Sequence, residues 1–193
     1  MTGEPFLITG LPRSRTAWMA AAAQNDKSVC LHEPTRYAAK WTDVFDIAWA
    51  LKGFQYVGAS DHGLGFHLPE IMARTAPRTL IIERPIDEVN ASLARLGLPA
   101  SNFCELLMEV LNTCRHPNIL RVKYAHLESP EVVGHCLAHL MPDAKQSWER
   151  LFCLQRLNIQ AQGIDDVVAA GLRRGAHGGA LVPPHILDRL RLE

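Results

Sequence analysis

The feature that most constrains this chain is an alternation repeated along most of its length. Short runs of apolar and β-branched residues are each followed by a stretch with helical spacing. "PFLITG" (5–10), "SVCLHEP" (28–34), "FQYVGASD" (54–61), "RTLIIER" (78–84) and "ILRVKYAHL" (119–127) read as strands. Between and after them, 16–24, 39–53, 66–77, 85–97, 100–116 and 129–142 read as helices, with further ones expected over 145–160 and 184–191. In the 39–53 stretch the apolar positions Trp41, Val44, Phe45, Ala48 and Leu51 fall on one helical face, and Gly53 stops it. Pro85 with its following acids, Ser101, and Ser129-Pro130 are start signals for later helices.

Strand-helix alternation through five units implies an α/β fold, a three-layer α/β/α sandwich around a mainly parallel five-stranded sheet. Continuous apolar strands fit a sheet covered by helices on both faces. Right-handed crossovers bring the C-terminal ends of all strands to one edge, where such sheets bind ligands. The positions to inspect are therefore 10–17, 32–36, 59–63, 83–85 and 124–127.

With 193 residues and 48% hydrophobic content, the chain suits a single domain spanning 1–193 with a sizeable core. Twenty basic and 20 acidic residues cancel, which argues against a dedicated nucleic-acid binder. A local basic cleft for a small anionic ligand needs no such excess. The cysteines, Cys30, Cys104, Cys114, Cys136 and Cys153, are odd in number, widely spaced and form no CxxC. They read as reduced, mostly buried thiols of a cytoplasmic protein. No apolar run reaches the ~18 residues of a membrane helix. "MTGEPFLITG" has no basic segment ahead of its apolar run, so no signal peptide is expected.

The loop "GLPRSRTAW" (10–18) follows the first strand. Laid on a Walker A pattern from Gly10, it has Arg15 for the second glycine, Thr16 for the lysine and Ala17 for the Mg²⁺-binding hydroxyl. An ordinary ATP- or GTP-hydrolysing site is not expected. Anion chemistry remains, because a tight loop opens a helix and Arg13 and Arg15 add bidentate donors. The bland alternative is a strand-to-helix turn with surface arginines.

These residues resemble the P-[KR]-S-G-T-T-W loop of the PAPS-dependent sulfotransferases, which holds the 5′-phosphosulfate of 3′-phosphoadenosine-5′-phosphosulfate. Pro12, Arg13, Ser14, Thr16 and Trp18 match, whereas Arg15 replaces a glycine and Ala17 a threonine. "ERPIDEVNAS" resembles the family's second signature, with Arg84 and Ser92 eight apart as its 3′-phosphate pair. "RRGAHGG" (173–179) resembles the late R-K-G loop that closes on the 3′-phosphate, through Arg173, Arg174 and Gly175. That match makes 161–193 a segment expected to fold over the donor site; a basic tail is the plain alternative. "LRVKYAHLESPEVV" is similar to the family's structural "RYEDL…P" segment.

The resemblance implies a P-loop NTPase-like fold, PAPS as donor, PAP as product and no required metal. It places Arg13, Ser14, Arg15, Thr16, Ala17, Arg84, Ser92, Arg173, Arg174 and Gly175 at the donor. Sulfuryl transfer also needs a base at the acceptor hydroxyl or amine. Glu33 in "LHEP" and Asp61 and His62 in "ASDH" sit after the second and third strands, and all three stay candidates. The family's histidine stands in a K-x-x-H setting, and here Ala59 occupies the lysine position. Arg13 is the candidate for stabilising the leaving phosphate.

The acceptor, a small molecule or carbohydrate, is not specified by any motif. Trp41, Phe45, Trp49 and Phe66 read as core more than as acceptor wall. His135 and His139 lie one helical turn apart without a third metal ligand. A homodimer stays open as a partner; no nucleic acid or membrane is expected. Two other functions fit the same fold: a small-molecule or nucleotide kinase, and a non-catalytic nucleotide-binding module.

Overall fold

The computed structural model describes residues 3–36, 38–51, 53–97 and 102–155. Five strands form one all-parallel sheet: β1 (Glu4–Gly10), β2 (Ser28–His32), β3 (Tyr56–Ser60), β4 (Arg78–Glu83) and β5 (Ile119–Lys123). Among the described residues seven helices are interleaved: α1 (Thr16–Ala22), α2 (Trp41–Ala50), α3 (Leu68–Arg74), α4 (Ile86–Ala94), α5 (Phe103–Thr113), α6 (Pro130–Leu140) and α7 (Trp148–Gln155). The expected three-layer α/β/α architecture is what forms.

The alternation of side chains along a strand explains both helical layers. On β1, Phe6 and Ile8 point into one core with Leu80 and Ile82 of β4, beneath α1, α6 and α7. Leu7 and Ile81 point the other way, into a second core with residues of α2 to α5. Nearly all of these are fully buried, and each large apolar side chain so placed contributes roughly 1.5–3 kcal/mol. Phe45 is core, while Trp41 and Phe66 are partly buried against it. The side chains of Trp49 and Cys153 lie outside the described part.

The strand order is β2-β3-β1-β4-β5. From β1 the chain passes through α1 to the far edge strand β2, whereas from β4 it moves outward to β5 on the other side. The two connections diverge between adjacent strands, which opens a crevice at the C-terminal ends of β1 and β4. Gly10 sits at its floor, opposite Ile82 in the register. A Cβ on Gly10 would lie 2.6 Å from the Ile82 carbonyl oxygen, so only glycine lets the strands meet where the loop departs.

Several boundaries fall short of the sequence expectation: the strand expected over 28–34 ends at His32, that over 54–61 is Tyr56–Ser60, and the last strand shows the largest difference. The strand predicted over 119–127 ends at Lys123, and Tyr124–Glu128 form a 3-10 turn instead. Apolar alternation in "ILRVKYAHL" continues past the point where the backbone leaves the sheet, so the pattern alone overran. The turn is closed by Ser129, whose hydroxyl accepts from the Val132 amide at 3.3 Å and caps α6, with Pro130 opening the helix.

Candidate functional site

The loop between β1 and α1 is bent by its arginines. Arg13 and Arg15 both adopt left-handed backbone conformations, with φ of 63° and 61°. Left-handed residues in a tight loop point successive N–H groups toward one side, the geometry of an anion-binding concavity. Both arginines therefore carry the backbone cost of a non-glycine residue at positive φ. Ser14 between them is fully buried, and its hydroxyl has no hydrogen-bond partner among the described residues. Thr16 is buried as well; its carbonyl accepts from the Ser60 hydroxyl at 2.9 Å, which ties the start of α1 to β3. Ala17 is half-buried behind it.

The second candidate pair comes to the same place. Arg84 leaves the end of β4, and its Nη1 donates to the Arg13 carbonyl. Ser92, two turns into α4 and buried, accepts from Arg13 Nε at 3.4 Å. Arg13, Ser14, Arg15, Thr16, Ala17, Arg84 and Ser92 therefore lie around one crevice. Carboxylates partly offset the arginines: Glu88 lies 3.2 Å from Arg84 Nε and Glu128 3.7 Å from Arg15.

Tyr124 completes this side. The guanidinium carbon of Arg84 lies 4.1 Å from its ring centroid and that of Arg15 5.0 Å. Both cations rest on one aromatic ring, an attraction that also restricts where their forks can point. Tyr124 falls within the 124–127 stretch that the strand pattern marks for inspection, but the sequence assigns it no role because the expected strand runs through it. Its position at the exit of the last strand was the usable signal.

No protein-family model matches the sequence, and no curated protein matches it.

The candidates Glu33, Asp61 and His62 sit at the ends of β2 and β3. Glu33 has a left-handed backbone, φ 48°, and follows the β2 exit directly. Its carboxylate lies 2.5 Å from Arg36 and 3.6 Å from Nδ1 of His62. The His62 ring meets Phe103 edge-on at 5.7 Å, and Phe103 meets Phe66 at 5.0 Å. Glu33 and His62 are both partly open to solvent, so the two side chains face the same opening at the sheet edge.

Asp61 is differently placed. It is 1% exposed. One of its oxygens accepts from the amide and hydroxyl of Thr35, at 2.9 and 2.5 Å, and the other from the Gly63 amide at 2.6 Å. The carboxylate binds the turn after β2 to the turn after β3, and so sets the spacing between Glu33 and His62. His32, absent from the sequence candidates, is buried beside this group. Burial chiefly lowers its pKa, with Arg36 and His62 acting the same way and Glu33 and Asp61 opposing.

Arg173, Arg174, Gly175 and the whole of 161–193 lie outside the described residues. The His139 ring lies 3.0 Å from the Asn118 carbonyl, a structural contact beside α6. Among the described residues no group of three or more His, Cys, Asp or Glu is arranged around a common metal position. No described helix is long and apolar enough to cross a membrane.

Proposed function

We propose that this protein is a PAPS-dependent sulfotransferase on a P-loop-like scaffold, acting in the cytoplasm. It transfers the sulfuryl group to a hydroxyl or amine of a small-molecule or carbohydrate acceptor and releases PAP. One observation carries the proposal. The two stretches that resemble separate phosphate signatures, 79 positions apart at Arg13 and Ser92, meet in a direct hydrogen bond. A donor with a 5′-phosphosulfate and a 3′-phosphate is the ligand chemistry that engages both.

The step is an in-line displacement. A bond forms between the acceptor oxygen or nitrogen and sulfur as the sulfur–oxygen bond to the 5′-phosphate breaks. The acceptor proton passes to the Glu33–His62 pair, and the charge on the departing phosphate is taken by Arg13. Asp61 holds the two turns that present the base. Guanidinium groups and loop N–H groups supply the charge stabilisation.

The test is calorimetric titration with PAP in the absence of Mg²⁺, against ATP with Mg²⁺. PAP binding with little ATP-Mg²⁺ binding is expected; the reverse overturns the proposal and favours a small-molecule or nucleotide kinase. The non-catalytic nucleotide-binding module has its own support in the Arg36–Glu33 ion pair, which competes for the base. Tight PAP binding without sulfuryl transfer across a broad acceptor panel would establish it.

A further inference from the structure

Arg15 stands where the sulfotransferase-like loop has glycine, and it does so at a backbone position that favours glycine, with φ 61° and ψ 23°. A side chain kept in a conformation that costs backbone energy points to a use for that side chain. The surroundings of Arg15 indicate which one. Its guanidinium lies over Tyr124, on the ring that also carries Arg84, and its partner is a carboxylate, Glu128, on the same 3-10 turn as the ring.

We propose that Arg15 is a specificity-determining anion ligand of the crevice, held by Tyr124 and occupied by Glu128 until a phosphate group displaces that carboxylate. This rests on the donor site proposed above and gives a role to the side chain of Arg15, where the resembled loop has a glycine.

The Arg15–Glu128 contact is built to be exchanged. Its 3.7 Å separation is long for a charge-assisted bond, and the Glu128 side chain is 75% exposed, so the pair is screened and weak. A phosphate carries more charge and matches the planar guanidinium in two bonds at once. Arg84 cannot be released in the same way, because it is only 11% exposed and donates to the Arg13 backbone. Arg15 is therefore the movable cation and Arg84 the fixed one. Tyr124 limits the movement, since either guanidinium keeps its cation–π contact by sliding across the ring face. Exchange of Glu128 for a ligand phosphate leaves the two guanidinium groups on the Tyr124 ring, those of Arg15 and Arg84, to face the anion together. Such a site favours a ligand with clustered or multiple phosphates over a singly charged one.

The experiment is calorimetric binding to the full chain, with PAP and with inorganic pyrophosphate, both without Mg²⁺. Arg15→Gly should bind each ligand roughly tenfold more weakly, the loss of one charge-assisted contact. The same variant should melt at or above the wild-type temperature, because glycine relieves the backbone. Opposite signs for affinity and stability separate a ligand role from a structural one. Glu128→Gln should bind several-fold more tightly, which removing a structural ion pair would not produce. Tyr124→Phe should bind like wild type and Tyr124→Leu should weaken as Arg15→Gly does. Wild-type affinity in Arg15→Gly, or weaker binding in Glu128→Gln, overturns the proposal. If PAP fails to bind wild type while pyrophosphate binds and responds to both substitutions as described, the donor assignment falls and the role of Arg15 stands. If neither ligand binds wild type, both fall.

Discussion

The Arg84 guanidinium lies 4.1 Å from the centre of the Tyr124 ring and donates to the Arg13 carbonyl across the crevice. Residues leaving β1, β4 and β5 are thereby joined at one edge of the sheet. Lysine could keep the charge but has no planar fork to stack on the ring while bonding sideways. Arg84→Lys is expected to weaken PAP binding by roughly tenfold or more, with a stability loss of about 1 kcal/mol for the lost bond to the loop. Calorimetry and urea unfolding measure the two. Unchanged binding in Arg84→Lys would mean that only charge matters there.

Asp61 and Glu33 should separate stability from turnover. Asp61→Asn puts an amide N–H₂ against either the Thr35 or the Gly63 donors, so at least one buried bond becomes a donor–donor conflict. A loss of roughly 1–3 kcal/mol is expected in denaturant unfolding. Glu33→Gln, with a half-open carboxylate, should leave PAP binding and stability near wild type while cutting sulfuryl transfer by about 10²-fold or more. Equal turnover in Glu33→Gln would remove Glu33 from the chemistry and leave His62 as the base.

Gly10→Ala tests the floor of the crevice. The added methyl meets the Ile82 carbonyl oxygen, a backbone atom held in the β1–β4 ladder, and cannot be relieved by a side-chain rotation. Destabilisation of about 1–3 kcal/mol is expected, as for other overpacked sites. Gly97, at φ +71° and with no heavy atom of the described residues within 4 Å of an added Cβ, serves as the comparison. Gly97→Ala suffers only the backbone penalty, and a larger loss there than at Gly10 would contradict the packing account.

Much of this arrangement is legible in the sequence, and for a physical reason. Strands buried on both faces must be apolar throughout, so "LITG" and "TLII" announce a central parallel sheet without any contact being known. Topology then sends Arg13, Glu33, Asp61, His62 and Arg84 to one edge, because each follows a strand. What the sequence does not show is how the members of that edge are shared out. Asp61 and Glu33 are both acids after strands, yet one is saturated by the Thr35 and Gly63 donors and the other stays half-open. That difference depends on the path of two turns, which periodicity does not encode. Tyr124 was hidden likewise, since strand and 3-10 turn carry the same local pattern until tertiary packing ends the strand at Lys123.

His32 gives the fold a pH dependence of defined sign. Burial is the main cause of its lowered pKa, Arg36 and His62 add to it, and Glu33 and Asp61 oppose it without cancelling it. In the unfolded chain the ring takes up a proton near its ordinary value of 6.5; in the folded chain it does so only at lower pH. Below that ordinary value the unfolded state binds more protons, so acidification favours unfolding. The contribution of neutral His32 is therefore fully present above about pH 6.5 and declines as pH falls toward the lowered value. His32→Gln, which cannot take up that proton, should show a shallower loss of stability between roughly pH 7 and pH 5 than wild type. Urea unfolding at a series of pH values measures both slopes. Parallel slopes would mean that His32 binds its proton equally well in the folded and unfolded chains, and that the acid sensitivity comes from other groups.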